Sequence, residues 1–124
     1  ILIVFMSTSC INNSYFVNLT GSKWVITRYD NMSTNQSNTP MDTLYFLSAT
    51  QYEINNGSTK SYSLMETSGD VETWRLLLND CLTFGGDYTA RISNAELDAG
   101  KLNNKTFSHY AGSNNIIVWM ERIE

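Results

Sequence analysis

The chain has 124 residues, of which 42% are hydrophobic and 16% are charged, and its formal net charge is −4. This length fits one domain with one modest core. No apolar run reaches the ~20 residues that a membrane-spanning helix needs. The eight Lys and Arg residues are scattered along the chain, which argues against nucleic acid as a partner.

The opening stretch, ILIVFMSTSC, runs from Ile1 to Cys10 and places six apolar residues before three small ones. This order is typical of the end of a secretory signal and its cleavage site, so we expect residues 1–9 to be a signal-peptide remnant. Two alternatives stay open. Ile1 to Met6 also fits a short buried strand, and Cys10 could form a disulfide with Cys81, the second of the two cysteines.

The cysteine that follows Ser-Thr-Ser resembles the lipobox cysteine of bacterial lipoproteins, in particular those of the Bacteroidetes-like type. The resemblance implies that Cys10 is acylated, becomes the new N-terminus and anchors the protein to the outer membrane. Several acyl chains would suffice for stable attachment, at about 0.8 kcal/mol per buried CH₂. The Asn- and Ser-rich stretch that follows then predicts a tether, so residues 10–22 would be the lipidated cysteine and its linker.

Short alternating segments separated by turn residues follow Ser22 and predict about eight antiparallel strands. Asn56-Gly57 predicts a tight hairpin turn, and Ser93 with Glu96 predicts a capping box at one helical turn. No crossover helices are available for a parallel sheet. The pattern therefore favours an all-β fold over residues 23–124, either a small up-and-down β-barrel or a flattened sandwich. The predicted strands are Lys23–Tyr29, Thr43–Leu47, Thr50–Ile54, Lys60–Met65, Thr73–Leu78, Tyr88–Ile92, Lys105–His109 and Ile116–Ile123.

Three features resemble the lipocalin-like (calycin-type) families of small secreted bacterial proteins. They are Gly21-Ser22-Lys23-Trp24 before the first strand, the segment YFLSATQYEINNGSTKSYSL, and the closing VWMERI. The resemblance implies a lipocalin-like barrel. It also implies that the first-strand Trp24 stacks under Arg122 and closes one end by a cation–π contact, worth about 0.5–2 kcal/mol.

Aromatic residues recur on the predicted strands, and those that point inward could line an apolar pocket or simply fill the core. If a pocket exists, the domain binds a small hydrophobic ligand. If the barrel is solid, the domain is an accessory or interaction subunit of an outer-membrane protein complex. An interior cavity above about 300 Å³ would favour the ligand. The candidate ligand-binding residues are Trp24, Phe46, Tyr62, Trp74 and Tyr88.

Residues for catalysis or metal binding are sparse. His109 is the only histidine, and no glycine-flanked nucleophile lies near it in the sequence. Asp80 and Asp87 flank Gly85-Gly86 at a spacing that fits a hairpin loop rather than a calcium loop. We therefore predict a protein without enzymatic activity, cofactor or metal.

Overall fold

The computed structural model describes residues 19–67, 70–112 and 114–124, and they form an antiparallel β-barrel of eight strands closed on itself. The predicted fold class is thereby confirmed. The signal remnant, the tether and Cys10 lie outside the described residues. The barrel strands are β1 (Lys23–Asn31), β3 (Asp42–Phe46), β4 (Gln51–Ile54), β5 (Thr59–Thr67), β6 (Asp70–Cys81), β7 (Gly86–Ser93), β8 (Lys101–His109) and β9 (Asn115–Arg122).

Each barrel strand pairs with the next along the chain, and β9 returns to pair with β1, which makes the topology up-and-down. A short additional strand, β2 (Gln36–Asn38), pairs with the end of β1 beyond the stretch that pairs with β3. The sequence pattern predicts no strand at the position of β2. Its three residues carry no apolar side chain and are mostly exposed, so no alternation marks them as a strand.

The core follows from the two-residue period of the strands. On β1, Trp24 and Ile26 point inward and are buried. Thr27 is then an extra residue, because the register of β9 passes from Trp119–Arg28 to Met120–Ile26. This bulge reverses the alternation, so Tyr29 packs against the core while Arg28 is exposed.

The hairpin between β4 and β5 is at the predicted place, but its turn is centred one residue earlier. Asn55 and Asn56 both have positive φ, 52° and 59°, and the Gly57 N–H donates to the Ile54 carbonyl at 2.8 Å. Asparagine tolerates this left-handed conformation better than most residues. Gly57 serves another purpose, since a Cβ there would lie 2.9 Å from the Ile54 carbonyl oxygen.

One short helix, α1 (Asn94–Ala99), connects β7 to β8. The predicted capping box is confirmed: the Ser93 hydroxyl accepts from the Glu96 N–H, and the Glu96 carboxylate accepts from the Ser93 N–H. Gly100 ends the helix in the left-handed conformation. In the part of the chain that the structure describes, no helix has the length and apolar character to cross a membrane.

Candidate functional site

The five candidate ligand-binding residues all lie on barrel strands, but they do not surround an empty space. Four of them, Trp24, Phe46, Tyr62 and Tyr88, are buried in the core. Phe46 and Tyr62 pack edge-to-face with ring centroids 4.8 Å apart. Trp74 is only partly buried, and its indole N–H donates to the Asn94 side-chain oxygen at 2.6 Å. Phe46 and Tyr62 therefore act as packing partners of one another.

The void among the core side chains at the helix end of the barrel measures about 10 Å³. A volume of this size holds at most about one water molecule, whereas small-molecule sites occupy about 300–1,000 Å³. The side chains around it are those of Leu19, Trp24, Phe46, Leu76, Ile92, Leu97, Leu102 and Met120. The described interior is thus filled by the chain itself.

Two of the core tyrosine hydroxyls are bonded to backbone carbonyls. Tyr52 donates to the carbonyl of Asn79 at 2.8 Å, and Tyr62 donates to that of Ser48 at 2.7 Å. Burial raises the pKa of both phenols above the ordinary value. Both hydroxyls therefore stay protonated. That of Tyr52 links β4 to β6, and that of Tyr62 links β5 to the loop after β3.

Cys81 lies at the end of β6 and is a free thiol that is fully buried. Burial raises its pKa to about 11. Because the thiolate is the reactive form, this cysteine is chemically inert in the folded chain. Its predicted alternative partner, Cys10, lies outside the described residues, so that pairing stays a prediction.

The barrel end that was predicted to carry a Trp–Arg stack is built differently at the side-chain level. Trp24 and Arg122 are opposite each other in the β1–β9 register. However, the Trp24 indole N–H donates to Ser22, and Arg122 packs over Gly100, where a Cβ would lie 3.3 Å from its Nε. Among the described residues, the cation–π contacts are instead Arg28 over Trp119 and Lys23 over Tyr45.

His109 ends β8 and packs edge-on against the ring of Tyr88, at 5.1 Å between centroids. Two glycines make room for it, since a Cβ at Gly86 would lie 2.9 Å from its Nε2 and one at Gly112 would lie 3.2 Å from its Nδ1. Within the described ranges, no group of three or more His, Cys, Asp or Glu side chains is arranged to hold a metal ion.

A concavity with a volume of about 510 Å³ lies on the outer wall, between β7 and β8. We call it the β7–β8 slot. It exists because these two strands pair only at Tyr88–His109 and Thr89–Ser108, after which no register continues. The slot is lined by Arg75, Thr89, Ala90, Arg91, Asn104, Lys105, Thr106 and Ser108.

Basic side chains dominate the charge of the slot. Arg75 on β6 and Arg91 on β7 are opposite each other in the register, and both are exposed. Neither forms a salt bridge with another described residue. Lys105 is different, because it is bonded to Glu96 of α1 at 2.9 Å. Both arginines also line a second groove of about 370 Å³, together with Glu66.

Sequence analysis missed the two arginines because neither belongs to a recognisable motif. If the pairing of β6 with β7 continued without a shift from the Cys81–Gly86 pair, Arg75 would lie opposite Ile92. The register shift between Leu78 and Cys81 places it opposite Arg91 instead. A one-residue irregularity of this kind leaves no clear sequence signal.

Comparison with protein-family models, with curated proteins and with solved structures finds no match for this chain.

Proposed function

We propose that this protein is a non-enzymatic lipoprotein of the bacterial cell envelope whose solid barrel serves as an accessory or interaction subunit. The filled interior carries this proposal. A void of about 10 Å³ leaves no room for the small hydrophobic ligand that the barrel would otherwise hold. The concavities large enough to receive a partner lie on the outer wall.

The lipid anchor is supported by the sequence alone, through the small residues that precede Cys10. Attachment to a membrane would concentrate the barrel near other envelope proteins, so that weak contacts on its outer wall become effective. A solid barrel suits this role, since a wall built on a filled core needs little reordering when a partner binds.

Intact mass of the membrane-fraction protein tests the anchor, after expression with a complete signal sequence. We expect a chain that begins at Cys10 and carries added acyl mass. The Cys10→Ala variant should lose that mass, and Cys81→Ala should keep it as the matched control. A soluble, unacylated chain that retains Ile1 to Met6 would contradict the anchor.

Photo-crosslinking in the native envelope tests the interaction role. One crosslinking residue would replace an exposed wall residue on each strand in turn, for example Ser61, Arg91 or Glu121. We expect at least one wall position to give a discrete adduct with another envelope protein. Native mass spectrometry of the isolated protein supplies the second readout. A stoichiometric apolar small molecule, with no adduct from any wall position, would favour the ligand-binding alternative.

A further inference from the structure

We propose that the β7–β8 slot binds an acidic, extended peptide segment of a partner protein as an added strand. This inference rests on the proposed interaction role and names the surface and the partner chemistry. Two independent features support it, which are the unpaired strand edges inside the slot and the two arginines beside it.

A hydrogen bond just beyond the paired part of β7 and β8 shows which backbone N–H and C=O groups of β7 point toward β8. The Tyr110 N–H donates to the Asp87 carbonyl at 2.8 Å, so odd-numbered residues of β7 face β8. Thr89 uses its groups to pair with Ser108, the last pair of the register. By the same alternation, the N–H and C=O of Arg91 and Thr106 face the slot, where the register of the described strands gives them no partner.

Open strand edges are unusual in a closed barrel, because closure normally pairs every edge. An edge with free N–H and C=O groups is a template for an added strand, and backbone hydrogen bonds then supply affinity. The slot has a solid floor, since Ala90, Ile92 and Phe107 are buried behind it. A segment bound there would lie on the wall and would not reach the core.

Charge indicates which kind of segment fits. Like charges directly opposite each other on neighbouring strands destabilise a sheet, yet Arg75 and Arg91 occupy such positions without a salt bridge to another described residue. Carboxylates arriving on the solvent face of an added strand would relieve this repulsion and accept charge-assisted hydrogen bonds. Lys105 is already paired with Glu96, so the two guanidiniums carry the attraction.

The chain as a whole is acidic, with a net charge of −4, so the positive charge of this site is opposite in sign to that of the whole chain. An acidic partner segment would be repelled elsewhere on the surface and attracted here, which favours one docking position. Side chains alternate along a strand, so we expect acidic residues at every second position of the segment.

The test uses the full 124-residue chain and a fluorescent heptapeptide, Thr-Glu-Val-Glu-Val-Glu-Thr with blocked ends, followed by anisotropy at low salt. Two control peptides carry Lys in place of Glu, or N-methyl groups on alternate backbone nitrogens. We expect saturable binding of the acidic peptide alone. Arg75→Gln and Arg91→Gln should each weaken it about fivefold or more, whereas Arg122→Gln, an exposed arginine at the far end of β9, should change it less than about twofold.

Absence of binding by the acidic peptide would overturn the inference, as would affinities that the two arginine substitutions leave unchanged. Equal binding of the N-methylated peptide, or full competition by inorganic phosphate, would reduce the slot to a simple anion site and would also overturn strand addition. Circular dichroism of each variant excludes misfolding as the cause of a loss. An envelope adduct formed only from positions outside the slot would sink this inference and leave the proposed function standing.

Discussion

The two edges of β7 have opposite properties, although one strand supplies both. Toward β6, the register runs from Thr73–Ser93 to Cys81–Gly86. Toward β8, it ends after Thr89–Ser108. Core side chains are buried behind both edges, among them Leu76, Ile92 and Phe107. The barrel is therefore sealed by side chains where the backbone leaves it open, and ligand access and strand pairing are separate properties of the wall.

The largest effect that we predict tests whether buried side chains stabilise the barrel at the edge of β7 that faces β8. Phe107 on β8 is fully buried behind the slot and packs on Phe84 at 5.7 Å between ring centroids. Phe107→Ala should lower the free energy of unfolding by about 3–5 kcal/mol, the usual cost of emptying a packed aromatic site. Chemical denaturation measures it, with the exposed neighbour Thr106→Ala as control. A loss below about 1 kcal/mol would mean that the core behind the slot is loosely packed.

Amide hydrogen exchange compares the two edges directly. The Ala90 and Ile92 N–H groups face β6 and are paired, whereas that of Arg91 faces the slot. We expect Arg91 to exchange roughly 100-fold faster than its two neighbours, because its exchange needs no opening of a ladder. Nuclear magnetic resonance resolves the three rates. Similar protection at all three amides would show that β7 and β8 pair further than the register indicates.

A feature of this barrel was predictable from the sequence when the residues that cause it lie close together along the chain. Alternation in segments such as Lys23–Tyr29 predicted the barrel strands, and Ser93 with Glu96 predicted the helix cap, because both signals lie within a few residues. The slot was not predictable, since it results from the end of the β7–β8 register after Thr89–Ser108, and pairing between distant segments leaves no local signal. The sequence also did not decide whether the barrel is solid or hollow. Inward aromatics such as Phe46 and Tyr62 have the same pattern in both cases.

Helix α1 is tied to β8 by the ion pair between Glu96 and Lys105, so we expect its N-cap to contribute to stability. Ser93→Ala removes the hydroxyl that accepts from the Glu96 N–H. We expect a loss of about 1 kcal/mol in the free energy of unfolding, the typical cost of losing an N-cap. Ser63→Ala, on the wall of β5, is a suitable control. Thermal unfolding that is equal for both variants would show that the cap does not support the junction.

The smallest effect that we predict is a loss of stability at low pH, when Glu96 becomes protonated. Burial alone would raise the pKa of Glu96, but hydrogen bonds from the Ser93 N–H and from Lys105 outweigh burial and lower it. A lowered folded-state pKa means that the stabilisation is complete above the unfolded value, about 4.3, and disappears as the pH falls through the folded value.

We expect Glu96→Gln to cost less than about 1 kcal/mol at pH 7, since the pair is partly solvated. The difference from the parent chain should shrink between about pH 4.3 and pH 2, because the parent then loses the same charge. Asp98→Asn, an exposed residue of the same helix, is the matched control. Urea unfolding at stepped pH measures both. Lys105 belongs to β8 and Glu96 to α1, so their ion pair links the helix to the open edge. A constant difference across this pH range would mean that the ion pair does not stabilise this edge. Packing of Leu97 in the core would then hold α1 in place alone.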